Sequence, residues 1–341
     1  MFPLLRLPYL CIQDITNMWE LIDLYNFSIL SKRAKRISRR KKENDSTVKL
    51  EFDYYSISLY RNSRVVLELP TKQFLSDRSQ FPLFDPRMCV LLQTTKHLLD
   101  VFNCSLDMRD WRLKPPMTKD QLIMMIDWLN GMENEVKKIV IKSATWEMLE
   151  LFMNRFQRSI RKLYIRNKLG HNDYKSLNFQ VKQLFLSNSS KWFHLDFLFS
   201  LDCDRIEMYN SILTEEDLNM FLRSWQEGKT NRNLKSFEFQ TCSDLDIKKI
   251  VKDCGAKLKD PRTTKHEFPH IKCLKDRGNW ICGGIHIRGN DGRLAILNGY
   301  FDYVEDKDVP EDLIEYYLEC LELWNSGIKT WERKCSHFNF F

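Results

Sequence analysis

Val136-Lys137-Lys138-Ile139-Val140-Ile141-Lys142-Ser143 opens a pattern of apolar-x-x-apolar-x-apolar-x-Asn/Ser/Thr that the chain repeats four more times. The later copies are Ile160-Leu163-Ile165-Asn167, Val181-Leu184-Leu186-Asn188, Cys203-Ile206-Met208-Asn210 and Leu234-Phe237-Phe239-Thr241, at successive offsets of 24, 21, 22 and 31 residues. The alternation inside each copy has the period of a short strand with one buried face. Helical patterns fill the intervals at 146–156, 192–200 and 214–225, and Thr214-Glu215-Glu216-Asp217 reads as a capping box with Asp in the usual place of Glu.

Short parallel strands, each returned by a helix, cannot close a core singly, so such copies must stack. This is the leucine-rich-repeat signature. It predicts an α/β solenoid over 118–255, with strand-end amides such as Asn210 buried and bonded to neighbouring backbone.

On the N-terminal side, residues 71–117 read as irregular, interrupted by prolines at 82, 86, 115 and 116. Residues 52–60 and 65–69 are β-rich runs joined by Arg61-Asn62-Ser63-Arg64, which predicts a hairpin. Ser31-Lys32-Arg33-Ala34-Lys35-Arg36-Ile37-Ser38-Arg39-Arg40-Lys41-Lys42 reads as a basic helix capped by Ser31, with Ala34 and Ile37 inward. Residues 2–30 hold eighteen apolar or aromatic residues in helical spacing, with Leu7, Leu10, Cys11, Ile15 and Met18 in one stripe and Leu21, Leu24 and Tyr25 beginning another. So small and apolar a helical set cannot hide all its faces internally and must dock on something. On the C-terminal side, Trp280–Arg288 and Arg293–Leu297 flank Gly289-Asn290-Asp291-Gly292 as a second hairpin, and 311–324 forms an acidic helix whose apolar stripe is Leu313, Ile314, Tyr317, Leu318, Leu321 and Trp324.

With 341 residues, 43% hydrophobic and 29% charged, the chain has the composition of a packed protein of two or three domains. No run approaches the ~18 apolar residues of a membrane span, and Arg6 and two prolines interrupt residues 1–12, which argues against a signal peptide. Ten cysteines without a C-x-x-C pair read as reduced thiols of a cytoplasmic or nuclear protein. The net charge of +7 is divided: residues 1–42 carry nine bases and three acids, and residues 300–341 carry four bases and ten acids. That bipolar pattern makes the 32–42 run a structural helix face sooner than a nucleic-acid site.

Motifs of common hydrolases, nucleotide enzymes and zincins are missing from the sequence, so no catalytic residue, metal ligand or cofactor is assigned. His266, His270, Cys273, Cys282 and His286 have zinc-binding residue types. Their spacing is not that of a finger, however, and Cys282 and His286 fall on one strand pattern, pointing to the same face. They read as core cysteines and surface histidines.

Phe2-Pro3-Leu4-Leu5-Arg6-Leu7-Pro8 and Leu24-Tyr25-Asn26-Phe27-Ser28-Ile29-Leu30-Ser31-Lys32-Arg33 resemble an F-box. Together with Leu184–Trp192, Leu213–Trp225 and the Gly283–Gly292 hairpin, they resemble the large nematode family that joins an F-box to a type-2 F-box-associated domain. The resemblance implies a non-enzymatic substrate receptor of a cullin–RING (SCF-type) ubiquitin ligase, bound to a Skp-type adaptor and through it to a cullin. It carries over Pro3, Leu4, Leu7, Pro8, Leu10, Ile15, Leu24, Ser28, Ser31 and Lys32 as adaptor-binding residues. The family's Asp-Pro turn between the first two helices is missing from Asn17–Leu21, which implies a shifted turn. In the organisation expected, 1–42 is a three-helix F-box, 43–117 a hairpin and connecting region, 118–255 the leucine-rich-repeat-like associated domain, and 256–341 a hairpin and acidic helix. The outward strand residues Lys142, Tyr164, Arg166, Phe185, Glu207, Glu238 and Gln240 are the candidates for contact with a protein substrate. The alternatives are a repeat scaffold with no ligase role, its N-terminal helices packed on its own body, and a nucleic-acid binder using 32–42.

Overall fold

The computed structural model describes residues 4–40, 46–51, 56–62, 64–69, 86–168, 176–189, 192–267, 280–298, 300–302 and 309–341. They form a mixed α/β protein that divides into two compact units, Met1–Ile165 and Arg166–Phe341.

In the first unit, a 3-10 turn at Leu4–Arg6 precedes α1 (Tyr9–Asn17), α2 (Leu21–Ser28) and α3 (Lys32–Ser38). Then come β1 (Ser46–Glu51), β2 (Ser56–Arg61), β3 (Arg64–Leu69), α4 (Pro86–Phe102), β4 (Ser105–Leu113), α5 (Lys119–Asn130), β5 (Val136–Ala144), α6 (Trp146–Arg155) and β6 (Ile160–Lys168), within which the division falls. The sheet order is β6-β5-β4-β1-β2-β3. From β1 through β4 and β5 to β6 the pairing is parallel, while β2 and β3 form the expected antiparallel hairpin, with Arg61 opposite Arg64.

The second unit contains β7 (Val181–Ser189), α7 (Leu195–Ser200), β8 (Arg205–Ser211), α8 (Glu215–Gln226), β9 (Ser236–Asp246), α9 (Ile247–Ile250), β10 (Lys257–Lys259), β11 (Lys265–Glu267), β12 (Trp280–Cys282), β13 (Gly284–Arg288), β14 (Leu294–Leu297), β15 (Tyr300–Asp302), α10 (Glu311–Asn325) and β16 (Glu332–Phe340). Strands β7, β8 and β9 run parallel, and the sheet continues antiparallel as β16-β14-β13-β10; a small sheet is ordered β11-β12-β15.

All five repeat copies fall on strands or their entries, and β5–β6, β7–β8 and β8–β9 pair in matched register. Ile139 lies opposite Leu163, Leu184 opposite Ile206, and Ile206 opposite Phe237. These side chains are buried, as are the helix residues facing them: Met148, Leu149, Phe152 and Met153 on α6, and Leu218, Phe221, Leu222 and Trp225 on α8. Each such side chain is worth about 1.5–3 kcal/mol of transfer free energy. Thr214 caps α8 through the reciprocal bonds of a capping box, and Thr118 with Gln121 does the same for α5.

Several expectations are corrected. The stretch 43–117 holds two members of the parallel sheet, β1 and β4, and the 17-residue helix α4. Asn210 is exposed and left-handed (φ 57°) at an irregularity of the β8–β9 ladder, so its side chain is not a buried strand-end amide. The run 280–288 is two strands in different sheets, because Gly283 turns the chain at φ 61°, where an added Cβ would meet the Lys259 carbonyl oxygen at 2.9 Å. On α10 the buried residues are Leu313 and Cys320, and Leu318 is exposed. The basic helix ends at Ser38, and Lys41 and Lys42 lie outside the described residues.

Candidate functional site

Helices α1–α3 build a small core of their own from Ile12, Phe27, Ala34 and Ile37, with Leu4, Leu7 and Trp19 packed against it. Trp19 meets Phe27 edge-on at 5.2 Å. The turn from α1 to α2 runs through Met18, Trp19 and Glu20, where the backbone N–H of Met18 closes on the Ile15 carbonyl. Ser31 caps α3 by accepting from the Ala34 N–H at 3.1 Å. This core is tied to α4 by three polar contacts. The Ser28 hydroxyl donates to the Tyr25 carbonyl at 2.7 Å and lies 2.6 Å from His97 Nε2; Lys35 pairs with Asp100 at 2.8 Å; and the Arg40 N–H donates to the Val101 carbonyl at 2.9 Å. The N-terminal helices therefore pack on the first unit's own body, as the scaffold alternative expects.

Six apolar side chains stay wet all the same. Leu10 is 71% exposed, Met18 80% and Leu30 72%, and Tyr9, Ile22 and Ile29 are exposed with them. Where exposed apolar side chains gather into one patch they mark an interaction surface. Of the residues expected to bind an adaptor, Leu10 is one of these six, Pro8 and Lys32 are exposed, and Ser31 is spent on the cap. Leu4, Leu7 and Ile15 are half-buried. Leu24 and Ser28 are buried, Ser28 against His97, so they shape the helices and touch no partner in this arrangement. Pro3 lies outside the described residues. The sequence reading passed over Tyr9, Met18, Ile22, Ile29 and Leu30. Because α1 and α2 are apolar on several sides, periodicity does not say which stripe turns inward: Leu10 and Met18 are exposed members of one stripe, while Ile12 and Thr16 are the buried residues of α1.

The expected substrate residues all lie on the strand positions that alternate with the buried ones. In the first unit, Lys138 Nζ sits 4.7 Å from the Tyr164 ring centre, and Lys142 is 3.6 Å from Asp110. Arg166 is exposed at the start of the second unit. There the register puts Phe185 opposite Glu207 and Glu207 opposite Glu238, one row across three strands. Arg205 pairs with Glu207 and lies 5.9 Å from the Phe185 ring centre, while the Tyr209 hydroxyl donates to Glu238 at 3.2 Å. Burial, together with the two carboxylates, pushes the Tyr209 phenol up to about 12. Gln240 lies opposite Cys335. The row is thus a polar surface with an aromatic wall, suited to protein contact.

Of the zinc-like residues, His270 and Cys273 lie outside the described set. His266 and His286 lie with ring centres 5.2 Å apart and planes tilted by 52°. No cluster of three His, Cys, Asp or Glu able to hold a metal ion occurs among the described residues. No helix among the described residues is long and apolar enough to cross a membrane.

A family profile described as "F-box associated" matches residues 164–239, from β6 to β9. An uncharacterized protein of Caenorhabditis elegans is 24% identical over 95% of this chain and 80% of its own length. No solved structure matches.

Proposed function

We propose that this chain is a non-catalytic substrate-recognition subunit of an SCF-type ubiquitin ligase, working in the cytoplasm or nucleus. Helices α1–α3 act as a three-helix F-box that docks a Skp-type adaptor, and the stacked strands act as a leucine-rich-repeat-like solenoid that presents the outward row to a protein substrate. The observation that carries the reading is the set of exposed apolar side chains on α1, α2 and the turns that follow them, in a chain that also matches the F-box-associated profile. In this role the protein supplies proximity, raising the substrate's effective concentration at the ligase, and the transferring residues belong to other subunits.

The test is titration of purified Skp-type adaptor into the full chain by calorimetry. Leu10→Asp with Met18→Asp places charge on side chains already in water. We expect these changes to weaken adaptor binding about a hundredfold or more and to leave the melting temperature nearly unchanged. Failure of the wild type to bind adaptor overturns the reading. It then leaves the scaffold alternative, which the packing of α1–α3 on α4 favours.

A further inference from the structure

Two helices carry charge that the fold does not use. On α3 and the residue after it, Lys32, Arg33, Arg36 and Arg39 are exposed, and among the described residues none has a carboxylate within ion-pair distance; Lys35, with Asp100, is the member of the run that does. Lys32, Arg33, Lys35, Arg36 and Arg39 line an open concavity of about 440 Å³. On α10, Glu311, Glu315, Glu319 and Glu322 are likewise exposed, with no cation within ion-pair distance among the described residues. Their spacing of four, four and three residues puts them along one side of the helix, and Leu318 lies one turn from both Glu315 and Glu322. Leu318 is 48% exposed.

We propose that the protein associates with a second copy of itself through α3 of one copy and α10 of the other. The charges are opposite and equal in number. At about 1.5 Å per residue the acidic stripe runs about 16 Å, longer than the roughly 10 Å from Lys32 to Arg39, so it can oppose the whole basic run. The aliphatic stems of Arg33 and Arg36 offer an apolar bed for Leu318, which water solvates poorly. A nucleic-acid ligand accounts for α3 but leaves α10 without a role. A second copy accounts for both, because each chain supplies both halves of the contact.

Sedimentation equilibrium of the full chain tests this, with circular dichroism to check folding. In 50 mM NaCl we expect a concentration-dependent rise in mass, weakened about tenfold or more in 500 mM NaCl, where screening is short-ranged. Reversal of α3 (Lys32→Glu, Arg33→Glu, Arg36→Glu, Arg39→Glu) and reversal of α10 (Glu311→Lys, Glu315→Lys, Glu319→Lys, Glu322→Lys) should each give a monomer. Mixing the two variants should restore association, since each now presents what the other lacks. Should a reversal impair folding, replacing the same residues by Gln tests the same loss. A wild type that stays monomeric overturns the proposal. So does association that survives both reversals, as an apolar contact through Leu10 and Met18 would, and so does binding of a DNA duplex by a monomer that α3 reversal abolishes. No adaptor enters the experiment, so its outcome is independent of the ligase reading.

Discussion

At the scale of single residues, His286 shows how placement sets chemistry. It sits on β13 with its Nε2 3.2 Å from the Gly283 carbonyl oxygen, near His266, Lys259 and Arg288, and burial pushes its pKa down to about 4. An unfolded imidazole titrates near 6.5. Above that pH both states are neutral. As pH falls from about 6.5 to about 4 the unfolded chain takes up a proton that the folded chain refuses, so stability is lost on acidification, by roughly 1–3 kcal/mol. Urea midpoints at pH 7.5 and 4.5 should therefore fall further for the wild type than for His286→Phe; equal falls would refute the assignment. The same burial makes Cys104 and Cys203 inert, their thiols pushed up to about 12. Sequence showed cysteines without pairing motifs, and all the described ones are free. It did not show which of them are buried, because that depends on strands brought together from far apart.

At the scale of elements, local chemistry was readable where it was self-contained. Thr214 with Asp217 identified the start of α8 from four consecutive residues, and the Thr214 side chain accepts from the Asp217 N–H at 3.2 Å. Thr214→Ala removes that acceptor and should cost about 1 kcal/mol in a urea titration, with Thr214→Ser recovering most of it. The strand repeats were equally legible, since each buried position recurs at the same place in the pattern. β4 was hidden for the opposite reason. Asp107, Arg109, Asp110 and Arg112 lie inside a nine-residue strand, and Asp110 is left-handed at φ 56°, so the apolar alternation is broken where the ladder shifts register. The outward direction of α1 was illegible because Leu10 and Met18 are as apolar as Ile12. Burial there depends on what α2 and α3 cover, and the sequence of α1 does not contain that.

At the scale of the whole molecule, the two units divide the candidate residues: the exposed apolar side chains of α1, α2 and their turns belong to the first, and the Phe185–Glu207–Glu238 row to the second. The profile match over 164–239 stops within β9. The second unit's core does not stop there. Phe338 stacks at 5.8 Å on Phe239 and Phe340 lies 5.0 Å from Trp225, so β16 supplies aromatic walls that the matched segment lacks. Phe338→Ala should cost about 3–5 kcal/mol by equilibrium unfolding, and a loss under 1 kcal/mol would show that the wall is dispensable. Residues 118–255, taken from the repeats as a self-standing domain, were legible as strands and helices. Their limits were not, since the strand that flanks β9 is drawn from 332–340.

That insertion has a consequence in time. Ser236 of β9 finds its partner in Asn339 of β16, with Ala295 of β14 pairing to Phe340 on the other side. About a hundred residues must be synthesised between the first of these strands and the second, which at about 5–20 residues per second takes roughly 5–20 s. For that interval Phe237 and Phe239 are made but have no Phe338 to stack upon. The second unit is therefore slow to close by construction, and a nascent chain spends seconds with an aromatic strand edge open to any other unpaired strand within reach.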